Sequence, residues 1–304
     1  MEYTRIPGTE IQISKLCLGT MTFGNPVART DAARLVRYAL DEHGINFIDT
    51  ANMYEGYDRV AGSAGGVAEE ILGEAVSGRR GAFVLATKVG MKVGGGPEDE
   101  NTSPTAIRVQ LRRSLTRMRT DYVDVYYLHR YDPNVPPEAI ARAMGDELRA
   151  GTIRAWGVSN YTPEQLRALL KASGKEGVPA PALCQPALSL LNTAALQELL
   201  PLCAEEGIGA VPYQLLQGGV LTGKYRRGQP APDGSRLAEK PDWVKPLTDE
   251  VYAVIEQCAK DAAKEGVSMT QHALRWALAQ PAVISALIGV KRKEQIDEAA
   301  AALS

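Results

Sequence analysis

The sequence predicts an α/β protein with the (β/α)₈ TIM-barrel fold, in one domain that spans residues 1–304. Short, almost wholly apolar runs alternate with longer segments of helical periodicity, and this alternation recurs eight times along the chain. A doubly wound open sheet is the alternative, but its G-x-G-x-x-G turn does not follow the first apolar run. We find no internal repeat, low-complexity tract or linker that would divide the chain. These observations favour the closed barrel.

The predicted strands are buried on both faces, because nearly every position in them is apolar. They are residues 16–20, 45–50, 83–88, 123–129, 153–159, 182–185, 208–213 and 283–289.

Helices are predicted between the strands from their start and stop signals. Thr30 is the expected cap of the first helix, which Gly44 ends; Ser103 and Thr162, each followed by proline, open two more. Pro137 opens another, which Gly151 ends. Another helix is predicted at Glu69-Glu70, and further helices near residues 194–206, 249–265 and 268–279. The last predicted helix contains Ile296. Residues 226–248 form the one long irregular stretch.

Composition excludes several classes of function. The 304 residues carry a formal net charge of -2 with no basic cluster, which argues against a nucleic-acid or membrane-surface binder. Four scattered cysteines and three histidines give no zinc spacing, so no metal is expected. The first residues lack the apolar stretch of a secretory signal, and no apolar run is long enough to span a membrane. We therefore expect a cytoplasmic protein that acts on small molecules.

Polar residues follow the apolar runs at the points where the strands end. In a barrel of this kind, catalytic residues lie at the carboxyl ends of the strands and in the loops after them. Taken singly, each has a structural explanation as a cap, a turn residue or a buried histidine. Together they suit proton transfer beside a bound cofactor. These residues are Thr20, Asp49, Lys88, His129, Ser159, Asn160, Gln185 and Tyr213.

Several motifs in this chain resemble those of the aldo-keto reductase family. Residues 44–54, GINFIDTANMY, are similar to the family signature G-x-x-x-x-D-T-A-x-x-Y. The resemblance then continues in the same order over nearly the whole chain. The further motifs are residues 86–90 (ATKVG), 127–130 (YLHR), 153–160 (IRAWGVSN), 221–225 (LTGKY) and 288–292 (IGVKR).

The resemblance implies a catalytic tetrad of Asp49, Tyr54, Lys88 and His129 that reduces an aldehyde or ketone to an alcohol with NADPH. Residue chemistry supports these roles. A free tyrosine has a pKa of about 10, and a nearby lysine ammonium is expected to lower it. Asp49 would hold Lys88 charged, Tyr54 would donate the proton, and His129 would orient the carbonyl oxygen. The hydride belongs to the cofactor.

The resemblance also implies where the nicotinamide end of the cofactor binds. Ser159, Asn160 and Gln185 correspond to residues that hold its carboxamide, and Tyr213 corresponds to the aromatic residue that stacks on its ring. The residues aligned beside the cofactor in the turns after the first two strands are Gly19, Thr20, Met21 and Asp49.

Further cofactor contacts are implied around the pyrophosphate and the adenosine. Residues 226–248 are expected to fold over the pyrophosphate as a lid. The chain departs from the family in having Gln214-Leu215-Leu216 where a small residue, proline and leucine are usual, and Ala299 where asparagine is common. The implied contacts are Gln214, Leu215, Gly218, Leu221, Lys224, Arg236, Gly289, Val290, Gln295 and Glu298.

Lys291 lies where the family binds the 2′-phosphate, and Arg292 follows it. A basic side chain suits an additional dianionic group, so NADPH is preferred, with NADH as the alternative. A solvated charge run at the start of a helix is the structural alternative for this segment.

The substrate side is less informative. Phe23, Tyr57, Arg59 and Arg130 are the candidate substrate contacts. The two arginines would suit a carboxylated or phosphorylated carbonyl compound, although surface solvation is the preferred explanation for them. Two other functions stay open: a cofactor-sensing regulatory subunit that keeps the same site, and a Schiff-base lyase with Lys88 as nucleophile. The physiological substrate, the direction of the reaction and the oligomeric state are not encoded in any motif of the sequence.

Overall fold

A computed structural model describes residues 1–303 and shows a barrel of parallel strands surrounded by helices. A short antiparallel hairpin of β1 (Tyr3–Arg5) and β2 (Gln12–Ser14) precedes the barrel. The barrel strands are β3 (Leu16–Gly19), β4 (Phe47–Asp49), β5 (Val84–Val89), β6 (Val123–Leu128), β7 (Ile153–Ser159), β8 (Leu183–Gln185), β9 (Gly209–Ala210) and β10 (Ala286–Gly289).

The eight strands follow one another in parallel around the sheet, with β10 next to β3. The sheet closes because Ala210 of β9 forms a parallel bridge to Val283, just before β10. The Ala210 amide donates to the carbonyl of Ala282 at 2.7 Å, and the Ile284 amide donates back to Ala210 at 2.9 Å. The predicted (β/α)₈ barrel is therefore confirmed, with most strands shorter than the apolar runs.

Helices connect the strands and cover the outside of the barrel. They are α1 (Arg29–His43), α2 (Val67–Ala75), α3 (Pro104–Met118), α4 (Pro137–Ala150), α5 (Pro163–Glu176), α6 (Leu199–Glu205), α7 (Arg236–Glu239), α8 (Asp249–Glu265), α9 (Met269–Leu278) and α10 (Lys293–Ala300).

Most predicted helix starts are found where the sequence placed them. Ser103 Oγ accepts from the Ala106 amide at 3.2 Å, and Thr162 forms a full capping box with Gln165. The prediction for Thr30 was wrong: α1 begins at Arg29, two residues earlier than a Thr30 cap implies, and Ala28 stands at the cap position without a side-chain bond. This start lies beside the turn at residues 20–27, where Phe23 and Val27 are buried, so packing sets it rather than a capping side chain.

The hairpin closes one end of the barrel. Ile6, Ile11 and Ile13 are buried against Phe47 and other barrel-lining side chains. Hydrophobic burial here leaves the amino ends of the strands with no open mouth. Chemistry is thus confined to the opposite end, where the carboxyl ends of the strands open into loops.

Residues 226–248 contain more structure than their composition suggested. Ser235 caps the short helix α7 by accepting from the Ala238 amide at 3.3 Å, and a 3₁₀ turn follows at Pro241–Trp243. We call residues 226–248 the strap. It packs on the barrel mouth, where Val244 joins Val220, Tyr225 and Ile255 in a small hydrophobic cluster.

Candidate active site

A buried lysine organises the polar residues at the barrel mouth. Lys88 Nζ donates to the Asp49 carboxylate, to the Thr50 carbonyl at 2.8 Å and to Tyr54 Oη at 3.4 Å. Gln185 Nε2 donates to the other Asp49 oxygen at 2.9 Å. Lys88 and Asp49 are fully buried. An unpaired charge at such a site would be very costly, so this ion pair and its hydrogen bonds explain why both can be charged there.

Strand register brings these groups together. Asp49 ends β4 and is paired with Ala86 of β5, which puts it two residues from Lys88 across the sheet. Tyr54 comes from the loop after β4. The Thr20 amide and hydroxyl both donate to the Asp49 carbonyl at 3.0 Å, which fixes the end of β4 against the turn after β3. The sequence-predicted Asp49, Tyr54 and Lys88 therefore lie in one hydrogen-bonded chain.

The pKa of Tyr54 is raised rather than lowered. Burial of its phenol raises the pKa, and the Lys88 ammonium offsets only part of that effect. The expectation that Lys88 would bring the pKa below its ordinary value was wrong for this structure. The pKa of Lys88 is itself raised: burial opposes its charge, but Asp49 and Tyr54 outweigh that opposition.

The charged state of Lys88 bears on the Schiff-base alternative. A lysine nucleophile has to lose its proton, and desolvation or a neighbouring cation usually lowers its pKa to allow this. Here Asp49 holds the ammonium and raises the pKa. The structure therefore argues against Lys88 as a nucleophile.

His129 lies beside Tyr54 and keeps one ring nitrogen without a partner. The two rings are 6.0 Å apart between centroids and nearly perpendicular. Burial, followed by the charges of Lys88 and Arg130, lowers the pKa of His129 well below its ordinary value. Nδ1 is buried and has no hydrogen-bond partner. Because Nδ1 has no accessible surface, a ligand would have to contact the neutral imidazole through its other ring nitrogen, Nε2.

The residues predicted to hold the nicotinamide form a second hydrogen-bonded group beside the first. Asn160 Nδ2 donates to the His129 carbonyl at 2.8 Å, and Tyr213 Oη donates to Asn160 Oδ1 at 2.7 Å. Ser159 Oγ donates to the Gln185 carbonyl at 2.9 Å. Asn160 has a left-handed backbone (φ 58°), a conformation that asparagine tolerates better than most residues. These bonds orient the amides at the ends of β7 and β8.

Gly19, the last residue of β3, packs closely against the neighbouring β10. A Cβ atom on it would lie 2.7 Å from Leu287 Cδ2, the end of a flexible side chain, and 3.3 Å from the Ile288 carbonyl oxygen. Thr22 Oγ1 then donates to the Val290 carbonyl at 2.9 Å, so the loops after β3 and β10 are joined. Met21 is half-buried in the turn after β3. The cofactor contacts predicted in the loop after β3 therefore lie next to those predicted in the loop after β10.

A turn with left-handed glycines follows β9. Gly218 and Gly219 have φ values of 65° and 92°, and a Cβ on Gly219 would lie 2.6 Å from Lys224 Nζ. Gln214, also left-handed at φ 60°, is exposed, whereas Leu215 and Leu221 are buried. The two leucine side chains therefore pack in the core, so only their backbones remain for a ligand.

Positive charge gathers where this turn meets the loop after β10. Burial lowers the pKa of Lys224, and the nearby charges of Lys291, Arg292 and Arg236 lower it further. Arg236 Nε is buried without a hydrogen-bond partner. Lys291 Nζ contacts the strap through Gly234 and Glu239. Such crowding of like charges is unfavourable unless an anion binds among them.

The start of α10 lies beside this cluster. Gln295 Oε1 accepts from the Lys291 amide at 2.7 Å, and Glu298 Oε1 accepts from Ser268 Oγ at 2.9 Å. Gly289 is exposed and Val290 is buried. Both acceptors are therefore already bonded within the protein.

These observations fit a phosphorylated dinucleotide. The amides of Asn160 and Gln185 suit a carboxamide, the unpartnered Arg236 Nε and the cations around Lys224 suit phosphates, and Gly218 and Gly219 leave room for backbone approach.

The predicted substrate contacts divide. Phe23 is fully buried in the main hydrophobic cluster, so it offers no wall to a substrate in this structure. Arg59 is bonded within its own loops: it donates to the carbonyls of Ser63 (3.0 Å) and Lys92 and lies 3.5 Å from the Glu55 carboxylate. These bonds account for Arg59 as a residue that fixes loop conformation.

Tyr57 lies against the strap. It is almost fully buried and meets Trp243 edge-on, with ring centroids 5.4 Å apart. Arg236, Lys240 and Lys291 surround its ring at 5.0, 5.7 and 5.1 Å. Tyr57 therefore belongs with the cationic cluster, a contact between distant segments that no local sequence signal indicated.

Arg130 lines a surface cavity to which none of Asp49, Tyr54, Lys88 or His129 contributes. The cavity has a volume of about 350 Å³. Arg130 donates to the Gly90 carbonyl at 3.0 Å and to the Glu100 carboxylate at 3.3 Å. The other residues that line it come from the loops after β5 and β6. They are Glu100, Asn101, Tyr131, Asp132, Pro133 and Asn134.

Comparison with known proteins agrees with this arrangement. A sequence profile of the Aldo/keto reductase family matches residues 15–304, so the chain belongs to that family. It is accordingly an oxidoreductase of carbonyl and alcohol pairs that uses a nicotinamide cofactor.

Individual relatives differ in what their names describe. The chain is 33% identical to a probable voltage-gated potassium channel subunit beta from Arabidopsis thaliana, covering 98% of this chain and 90% of that one. It is 31% identical to an L-glyceraldehyde 3-phosphate reductase from Escherichia coli (strain K12), covering 100% and 88%. A solved glycerol dehydrogenase from Gluconobacter oxydans superposes with a TM-score of 0.82 at 29% identity, covering 99% and 90%.

The described residues contain neither a membrane-spanning helix nor a cluster of metal-ligating side chains. Within residues 1–303, no helix is both long enough and apolar enough to cross a membrane. In the same part of the chain, no group of three or more histidine, cysteine or acidic side chains has the geometry of a metal site.

Proposed function

We propose that this protein reduces a small aldehyde or ketone to an alcohol with NADPH, and that Tyr54 supplies the proton. The observation that carries this proposal is the hydrogen-bonded chain from Tyr54 through Lys88 and Asp49 to Gln185 at the barrel mouth. Such a chain places a proton donor, a buried cation and its counter-ion in sequence.

The raised pKa of Tyr54 suits a proton donor. A phenol whose pKa lies above 10 is protonated at neutral pH, so it is ready to donate to a carbonyl oxygen. Lys88 then lies 3.4 Å from the oxygen on which the phenolate charge develops. Asp49 keeps Lys88 charged throughout. Neutral His129 would orient the carbonyl oxygen through Nε2, because Nδ1 is buried.

NADPH would be held by the amides at the ends of β7 and β8 and by the cations around Lys224. When bound, its nicotinamide supplies hydride to the carbonyl carbon. Asn160, Gln185 and Tyr213 would hold and cover the ring, while Lys224 and Arg236 would bind the pyrophosphate. We propose that Lys291 binds the 2′-phosphate, which makes NADPH the preferred cofactor over NADH.

Two relatives favour a small, hydroxylated substrate. Their names, a glyceraldehyde 3-phosphate reductase and a glycerol dehydrogenase, refer to three-carbon hydroxylated compounds. We therefore expect glyceraldehyde to be reduced more efficiently than benzaldehyde.

The decisive experiment replaces the phenol hydroxyl. Tyr54→Phe should lower kcat for NADPH-dependent reduction by about 10²- to 10⁴-fold, the usual contribution of a general acid, with cofactor affinity unchanged. Tyr122→Phe is the matched control, because Tyr122 lies just before β6, at the end of the barrel opposite the mouth, where its ring packs against Arg80. Equal rates for Tyr54→Phe and the wild type would refute the role of Tyr54.

A regulatory subunit is the second candidate, supported by the 33% identity to a probable potassium channel subunit beta. Such a protein would bind NADPH without turning over a panel of aldehydes, ketones and quinones. Turnover of any of them that depends on Tyr54 would favour the reductase.

A further inference from the structure

Lys291 joins the strap to the loop after β10. Its Nζ donates to the Gly234 carbonyl at 2.9 Å and to the Glu239 carboxylate. The side chains of Lys291 and Glu239 are only 25% and 31% exposed. Because both partners belong to the strap, one ammonium anchors it over the barrel mouth.

This ion pair lies among positive charges. Arg236, Lys240 and Lys291 all lie within 6 Å of the Tyr57 ring, and Lys224 is close enough to Lys291 and Arg236 for their charges to lower its pKa. Glu239 therefore neutralises one charge in a cluster that otherwise suits phosphate.

We propose that Glu239 competes with the 2′-phosphate of NADPH for Lys291 and so sets the degree of preference for NADPH. This inference rests on the proposed role of Lys291. A phosphate dianion and a carboxylate repel each other, so binding of the phosphate at Lys291 displaces Glu239. NADH brings no 2′-phosphate and leaves the pair intact. Glu239 is thus a specificity-determining residue that also links the strap to the cofactor bound.

The test compares three nucleotides by equilibrium binding, followed through quenching of tryptophan fluorescence; Trp243 lies in the strap. NADPH, NADH and adenosine 2′,5′-bisphosphate are titrated into the wild type and Glu239→Gln. We expect Glu239→Gln to bind NADPH and the bisphosphate about three- to fivefold more tightly, the upper range for a partly exposed ion pair. NADH affinity should change less than about twofold.

The matched control is Glu294→Gln. Glu294 is exposed, lies 3.7 Å from Arg292 and carries the same charge near the same cluster, but it has no bond to Lys291. If the two variants gain equally in NADPH affinity, the cause is the general loss of negative charge, and the proposal is overturned. Unchanged or weaker NADPH binding in Glu239→Gln would overturn it as well, since Glu239 would then assist Lys291.

Lys291→Met separates this proposal from the proposed cofactor preference. Loss of the NADPH preference in Lys291→Met, together with an unaltered Glu239→Gln, would overturn the competition alone. Retention of the preference in Lys291→Met would instead show that the 2′-phosphate binds elsewhere, which overturns both. Thermal unfolding of each variant shows that affinities are compared between folded proteins.

Discussion

At the end of the barrel where the strands begin, Ile6, Ile11 and Ile13 are packed on the apolar interior, and several polar side chains near the strand starts are ion-paired. Asp124, for example, lies between Arg80 and Arg154 at 2.8 Å from each. At the opposite end, polar atoms remain without partners, among them His129 Nδ1 and Arg236 Nε.

The difference teaches where each end obtains its stability. Bonded polar groups and buried apolar area at the hairpin end stabilise the fold without help from a ligand. Polar atoms without partners at the mouth lower the stability, because burying a polar atom without a hydrogen bond is unfavourable. A ligand that hydrogen-bonds these atoms would remove that cost. The buried Lys88–Asp49 pair is the exception, because it is both part of the mouth and fully bonded.

Breaking that pair should have the largest effect on stability. Lys88→Met leaves the Asp49 carboxylate buried without its cation, and we expect the free energy of unfolding to fall by about 3–5 kcal/mol. Urea unfolding followed by circular dichroism measures it. The double variant Lys88→Met with Asp49→Asn removes both charges and should recover a large part of the loss while remaining inactive. A loss below about 1 kcal/mol in the single variant would mean that solvent reaches Asp49.

The hairpin end should show stability without chemistry. Ile13→Ala removes a fully buried side chain, and we expect a loss of about 2–5 kcal/mol in the free energy of unfolding. Values of kcat and KM below the unfolding temperature should stay unchanged, because Ile13 lies at the far end of the barrel. Arg5→Ala, at an exposed position of the same hairpin, should cost less than about 0.5 kcal/mol. A large fall in kcat for Ile13→Ala would show that the two ends are coupled.

The sequence predicted the barrel because its signals are local and repeated. An apolar run recurs in every strand–helix unit, and the polar residue after each run marks the mouth. Proline begins α3, α4 and α5, and glycine ends α1, α4, α5 and α8. The hairpin escaped notice because β1 and β2 are three residues each, with exposed positions among them, and give no apolar run.

Contacts between distant segments were the part that the sequence could not supply. Tyr57 packs on Trp243, and Lys291 pairs with Glu239, across 186 and 52 positions of the chain respectively. The pKa of Tyr54 was mispredicted for a related reason: the sequence showed the neighbouring ammonium but not the burial that outweighs it. Burial of Phe23 was equally invisible.

A smaller effect should distinguish the strap from the barrel wall. Ser235 caps α7 in the strap, and Ser103 caps α3 in the wall. We expect Ser103→Ala to lower the free energy of unfolding by about 1 kcal/mol, the usual value of a helix cap, without altering NADPH release. Ser235→Ala should instead speed NADPH release about two- to fivefold, measured by stopped-flow fluorescence, with little change in global stability. Identical behaviour of the two variants would contradict a separate role for the strap.

The last comparison concerns pH: the rate of reduction should not change with pH near neutrality. The pKa of His129 is held well below 6.5 by burial, Lys88 and Arg130, and the pKa of Tyr54 is raised above 10. For reduction, which needs neutral His129 and protonated Tyr54, kcat/KM should therefore be flat from about pH 7 to 9. Oxidation of the alcohol needs the phenolate, so its rate should rise up to tenfold per pH unit over the same range. Stability should depend on pH on the acid side. Below about pH 6.5 the unfolded chain takes up a proton on His129 and the folded chain does not. The free energy of unfolding should therefore decrease as the pH is lowered. A reductive profile with a midpoint between pH 7 and 9 would mean that Lys88 lowers the pKa of Tyr54 more than burial raises it.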